Sequence, residues 1–142
     1  MINSIRDGIN SALYAKFGDE YNIYLDDLEQ GYENPCFFVY LIDWYSDELI
    51  MKREKVHTQF AITFFPRNED EPTVECYEII PKLRECLRMI TLENGDIHRG
   101  IDMDAKVVDG RVQFYVTYNF EMIEQEADNS MQGYTERINN GN

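Results

Sequence analysis

An Asp-Gly dipeptide between two alternating runs constrains this chain more than any other feature. Asp109-Gly110 is a two-residue turn of the kind a type I′ hairpin demands, because both central residues must take positive φ. Placing Val108 opposite Arg111 predicts the cross-strand pairs Val107–Val112, Ala105–Phe114, Met103–Val116 and Ile101–Tyr118. All four are largely apolar. The alternate pairs, Lys106–Gln113, Asp104–Tyr115 and Asp102–Thr117, are mostly polar. One face of the hairpin is therefore expected to be core and the other wet, and a slip of one residue would reverse both.

The rest of the chain supplies what such a hairpin packs against. Ile5, Ile9, Ala12, Leu13 and Phe17 recur at helical spacing, with Asn3 or Ser4 available as a cap and Gly18 as a stop. Tyr21, Ile23 and Leu25 alternate as a short strand, and residues 29–35 read as a loop through Gly31, Asn34 and Pro35. Residues 36–45 are apolar on both faces, which suits a central strand covered on both sides at its beginning. Residues 55–65 alternate, with Val56, Thr58, Phe60, Ile62 and Phe64 on one side. These two runs are expected to pair as a hairpin joined by residues 46–54.

A second helix is predicted over residues 73–91. Cys76, Ile79, Ile80, Leu83, Leu87 and Ile90 form its apolar stripe, and the acidic turn at residues 66–72 precedes it. Pro81 interrupts it, removing one hydrogen bond and clashing with the Tyr77 carbonyl at a cost of ~3 kcal/mol. The stripe stays in phase across the proline, so a kinked helix is expected. The fold class is α+β: a mixed or antiparallel sheet, two helices packed mainly on one face, a C-terminal β-hairpin and a polar tail. Residues 1–123 are expected to form a single domain and residues 124–142 a polar C-terminal tail. A length of 142 residues suits one domain, and ten Tyr and eight Phe exclude a disordered chain.

Charge narrows the function. The net charge is −14, which leaves no large basic patch for phosphate binding and disfavours nucleic acid and anionic membranes alike. Cys36, Cys76 and Cys86 are odd in number and show no CxxC spacing, which points to reduced, buried thiols. With no signal sequence and no apolar run approaching ~18 residues, the chain is expected in the cytoplasm.

The inventory for chemistry is nearly empty. Asp102 and Asp104, two apart on a strand, could share a divalent cation, but they read first as the wet face of the hairpin. His57 and His98 lack zinc spacing. A Cys36–His57 pair could meet across a hairpin, yet nothing flags a third, orienting group. The acidic run Asn68-Glu69-Asp70-Glu71 lacks the pattern of a calcium loop. No catalytic residue, cofactor-binding residue or metal ligand is assigned.

Two features suit an assembly protein. Residues 46–54 hold Leu49, Ile50 and Met51 between charges, followed by Lys52 and Arg53. They form either a hairpin end folded onto its own core or an arm whose apolar tip docks on a neighbour. The polar tail carries Met131, Tyr134 and Ile138 as candidate contacts.

The run Val107-Val108-Asp109-Gly110, with Phe114, Val116 and Tyr118-Asn119-Phe120 after it and Arg99-Gly100 and Met103 before it, resembles the closing hairpin of phage tail terminator family proteins from Gram-positive phages and phage-derived particles. The helix beginning Ile5-Arg6-Asp7-Gly8-Ile9, the aromatic strand over residues 35–44, Phe64-Phe65-Pro66 and the segment over residues 75–90 follow in the same order. The resemblance covers about residues 2–123. Pro81 departs from the uninterrupted helix expected there.

The resemblance implies a structural protein and not an enzyme. It implies a ring, six subunits in number, that caps the tail tube, stops its growth and accepts the head connector. Where the tail is contractile, the sheath protein also ends at this neck or collar. The implied partners are further copies of the chain, the tube protein, the sheath protein and the connector, with no membrane and no sequence-specific nucleic acid; DNA would only pass through the lumen. The implied location is the host cytoplasm during assembly, then the head-proximal end of a virion or tail-like particle. The competing readings are another neck or tube component, an acidic inhibitor that mimics DNA, and a metal-dependent hydrolase built on Asp102 and Asp104.

Overall fold

The computed structural model describes residues 1–25, 31–124 and 134–137. The elements run α1 (Ile2–Phe17), β1 (Asn22–Tyr24), β2 (Cys36–Leu49), β3 (Arg53–Phe65), α2 (Thr73–Leu87), β4 (Met89–Thr91), β5 (Ile97–Arg99), β6 (Ile101–Val108), β7 (Arg111–Glu124) and β8 (Tyr134–Arg137). The main sheet is ordered β1-β2-β3-β7-β6, with β8 also paired to β7, while β4 and β5 form a separate ribbon. β1 runs parallel to β2 and every other pairing is antiparallel. This is the expected α+β class with a mixed sheet.

Both helices lie on one face, because their stripes join the inward sheet residues in a single core. Ile5, Ile9 and Leu13 of α1 and Cys76, Ile79, Leu83 and Leu87 of α2 pack with Phe37, Val39, Phe60, Ile62, Phe64, Val112, Phe114, Val116 and Tyr118. Burying each large apolar side chain is worth roughly 1.5–3 kcal/mol, so the alternation in β3 and β7 fixes which side of the sheet the helices cover. The opposite face is covered near the start of β2, where Phe38 packs against Tyr24, Tyr32 and Phe65. The two-sided apolar run beginning at Cys36 is accounted for in this way.

Several sequence expectations need correction. Neither Asn3 nor Ser4 caps α1, which begins at Ile2 without a side-chain cap; Gly18 ends it as expected, with φ 65° and its N–H on the Tyr14 carbonyl. Residues 46–54 are not a loop, since β2 runs to Leu49 and β3 starts at Arg53. The second helix stops at Leu87, four residues short of the expected end, and Ile90 is buried from strand β4 instead. There the Leu87 carbonyl accepts from the Tyr118 hydroxyl at 2.6 Å and the Arg88 carbonyl from the Gly100 N–H at 2.8 Å. Those partners satisfy helix-end carbonyls that would otherwise lack donors. Pro81 stays inside α2 on its exposed side, where the Tyr77 carbonyl it deprives can turn to water.

The closing hairpin follows the expected register from Val108–Arg111 through Asp104–Tyr115, then departs from it. Asp109 and Gly110 take φ 53° and 72°, the two positive values a type I′ turn requires. Beyond Asp104 a bulge intervenes, so Ile101 faces Thr117 and not Tyr118. Asp102 occupies it with φ 52°. The extra residue takes up the slack where Gly100 is pinned; a Cβ on Gly100 would lie 2.5 Å from the Leu87 carbonyl oxygen and 2.8 Å from Val116 Cγ2.

Candidate functional site

The surface that stands out is the end of the sheet that the helices leave uncovered. β2 and β3 pair without a break from Asp43–Gln59 to Leu49–Arg53, and only Ile50, Met51 and Lys52 form the turn. Ile50 and Met51 are 84% and 85% exposed, against 38% for Leu49. The hairpin end is thus not folded onto its own core. Met51 and Lys52 take φ 64° and 57°, a conformation costing roughly 1–2 kcal/mol for a residue with a Cβ. Gly would adopt it freely. The turn instead keeps a bulky apolar side chain and a cation in strained positions.

This end is more than a two-stranded ribbon. β7 pairs with β3 as far as Arg53–Ile123, and β8 then lies on β7 from Glu121–Arg137 to Glu124–Tyr134. Arg53 Nη2 meets Glu121 Oε2 at 2.6 Å, so Arg53, expected to face a neighbour, is engaged within its own sheet. On the same face His57 stacks on Tyr45 with ring centroids 4.3 Å apart, and its Nε2 lies 3.0 Å from Asp47 Oδ2. A bulge at Ile42 sets this pattern. By moving the alternation one place, it puts Trp44 opposite Thr58 on the helix side and Tyr45 opposite His57 on the other. Trp44 and Tyr45 are about half exposed.

The expected apolar tip therefore comprises Leu49, Ile50 and Met51 with Lys52 beside them, while Arg53 serves the strand behind it. Of the tail candidates, Tyr134 opens β8, and Met131 and Ile138 lie outside the described residues. The sequence does not announce the support from β7 and β8, because nothing local marks residues 119–124 as partners of the hairpin end. The run Lys55, Val56, His57 matched against Asn119, Phe120, Glu121 was the available signal.

The remaining constellations come apart. Cys36 pairs with Phe65 and His57 with Tyr45, eight positions apart along β3 and so ~27 Å at 3.4 Å per residue; they do not meet. The bulge puts Asp102 in left-handed backbone without a register partner, while Asp104 faces Tyr115 in the regular ladder. Among the described residues no group of three or more His, Cys, Asp or Glu side chains could hold a metal ion. His98 is buried in β5, with Nδ1 3.2 Å from the Asn119 carbonyl. Burial pushes the Cys36 thiol up to about 11 and the Cys86 thiol up to about 12, and raises Cys76. Thiols held protonated in this way are poor nucleophiles. Among the described residues no helix is long and apolar enough to cross a membrane.

No protein in a search of curated proteins matches the chain. The family model for phage tail terminator proteins matches residues 4–130, a span that takes in both helices and the sheet through β7. On that match, the chain belongs to the phage tail terminator protein family.

Proposed function

We propose that six copies of this chain close into a ring at the head-proximal end of a tail tube, where the ring ends tube polymerisation. It offers a docking surface to the head connector where a head is present and to the sheath protein where the tail contracts. The protein is structural and catalyses no reaction. It is assembled in the host cytoplasm and resides in a virion or tail-like particle. One observation carries the proposal for contacts between copies: two large apolar side chains, Ile50 and Met51, stand 84% and 85% exposed at a stiffened, strained turn. Strain of this kind is retained where a site uses it. The net charge of −14 suits a lumen through which DNA slides without adhering.

The test is the mass of the purified chain by light scattering across concentration, with and without tail tubes. The expected result is a closed oligomer, alone or on tube ends. Ile50→Asp with Met51→Asp is expected to keep the circular dichroism spectrum and lose the oligomer. A chain that stays monomeric under every condition and ignores tubes would overturn the proposal.

A further inference from the structure

The uncovered end of the sheet also has an open side. β1 pairs with β2 only from Cys36 to Phe38, and among the described residues no strand lies beside β2 beyond that point. From Asp43 to Leu49 the strand is regular, paired residue for residue with β3 on its other side. In such a ladder alternate residues turn both N–H and C=O away from their partner. At 3.4 Å per residue the stretch is ~24 Å long, and along it a row of backbone donors and acceptors faces outward. Every side chain in it except Ser46 is exposed. Edges of folded sheets are ordinarily blunted by brevity, Pro or Lys. Residues 36–49 contain no Pro, Lys or Arg.

The same stretch says what would fit. An added strand sets one side chain beside Trp44 on the helix side and the next beside Tyr45 on the other. Both rings are about half exposed, and aromatic rings in a ladder gain by pairing with apolar neighbours. In strand addition the backbone supplies affinity and the flanking side chains supply selectivity. The matching segment is therefore extended, free of Pro and apolar at two consecutive positions. A second copy is a poor source of it. On the far side of the sheet β6 and β8 pair with separate parts of β7, so no long continuous strand borders that flank. Two β2 edges set against each other would gather Asp43, Asp47 and Glu48 of both copies, and like charges across a ladder destabilise it. One edge that receives a strand, with no equivalent edge that offers one, makes a one-sided joint. Such a joint attaches to the end of a polymer without renewing it.

We infer that the β2 edge over residues 43–49 receives an extended segment of the tube protein, paired strand to strand beside Trp44 and Tyr45. The inference rests on the reading above that the chain ends a tube, and it names the surface that meets the tube and the kind of segment held there. The test is hydrogen–deuterium exchange of the full-length chain by mass spectrometry, alone across concentration and with isolated tail tubes. The expected result is at least tenfold slower exchange in peptides covering residues 43–49 when tubes are present, with residues 101–108 unchanged. Ser46→Pro and Asp47→Pro, made separately, add a second readout. Neighbouring residues turn their N–H groups to opposite sides, so one of the two substitutions removes an outward N–H and the other an N–H bonded to β3. The outward one is expected to keep the circular dichroism spectrum and bind tubes at least tenfold more weakly. Tube binding without slower exchange at residues 43–49 would overturn the edge and leave the terminator reading standing. Slower exchange there on self-assembly without tubes would make a second copy the occupant and overturn it equally. A native chain that neither assembles nor binds tubes would overturn both readings.

Discussion

Removing one oxygen from Tyr118 tests the junction on which the helical layer and the sheet depend. Its side chain is fully buried, and its hydroxyl donates to the Leu87 carbonyl at 2.6 Å. Tyr118→Phe keeps the ring and its packing, so no cavity opens. What is lost is the hydrogen bond, and what remains is a helix-end carbonyl without that donor. Leaving a buried acceptor unpaired costs about 1–3 kcal/mol. At about 2.1 cal/mol/K per residue the entropy of unfolding is about 0.3 kcal/mol/K for a chain of this length, so Tm should fall by about 3–10 °C. Urea denaturation followed by circular dichroism measures the same loss as a lower midpoint at unchanged slope. The runs should span several protein concentrations, because any assembly adds stability by mass action. A midpoint within about 0.3 kcal/mol of the native value would refute the argument. So would a slope that changes, because the substitution would then have altered more than one bond.

Other consequences can be measured in parallel. Gly100→Ala forces a methyl to within 2.5 Å of the Leu87 oxygen; overpacking of this kind costs about 1–3 kcal/mol, read as a lower thermal midpoint. Lys52→Gly relieves the positive φ at the turn and should stabilise the isolated subunit by about 1 kcal/mol, measured by urea denaturation. Its assembly, read by light scattering, should weaken at the same time. Iodoacetamide at pH 8 should leave Cys36 and Cys76, both buried, unmodified in the folded chain and label them in urea, as followed by mass spectrometry. The buried thiols keep their protons to higher pH than unfolded thiols do. Their contribution to stability is therefore complete below the unfolded value of roughly 8.5. It is lost as pH rises through about 11 for Cys36 and about 12 for Cys86, and a urea midpoint that rises over that range would contradict the burial argument.

What could be read from the sequence, and what could not, divides along a physical line. The Asp109-Gly110 turn, the alternation in β3 and the stripes of both helices are local patterns, each fixed by side chains two to four positions apart. They gave the fold class and most of the closing register. The bulge at Asp102 answers to a distant demand, the packing of Gly100 against the end of α2, and residues 101–104 carry no mark of it. The end of α2 is set in the same way by Tyr118 and Gly100, so the apolar phase of Ile90 misled: it is buried from a strand and not from a helix. At the candidate site, the apolar tip was visible as Leu49-Ile50-Met51. Its projection was not, because that depends on β7 lying beside β3, where Arg53 and Ile123 are partners seventy positions apart.

The bulge in β6 has a consequence for solubility and for how growth is halted. Sheet edges invite other sheets, and an edge that is long and flat can be extended without limit. Here the flank of β7 is shared by two short segments: β6 pairs with it only as far as Thr117, and β8 begins only at Glu121. β6 itself is interrupted by the left-handed Asp102 and carries Lys106 on its exposed side. A strand arriving from another molecule would find a few good hydrogen bonds and then a kink. Runaway stacking into fibres through that edge is disfavoured for that reason. A protein whose family ends the growth of a tail is thus itself a poor template for growth of the wrong kind.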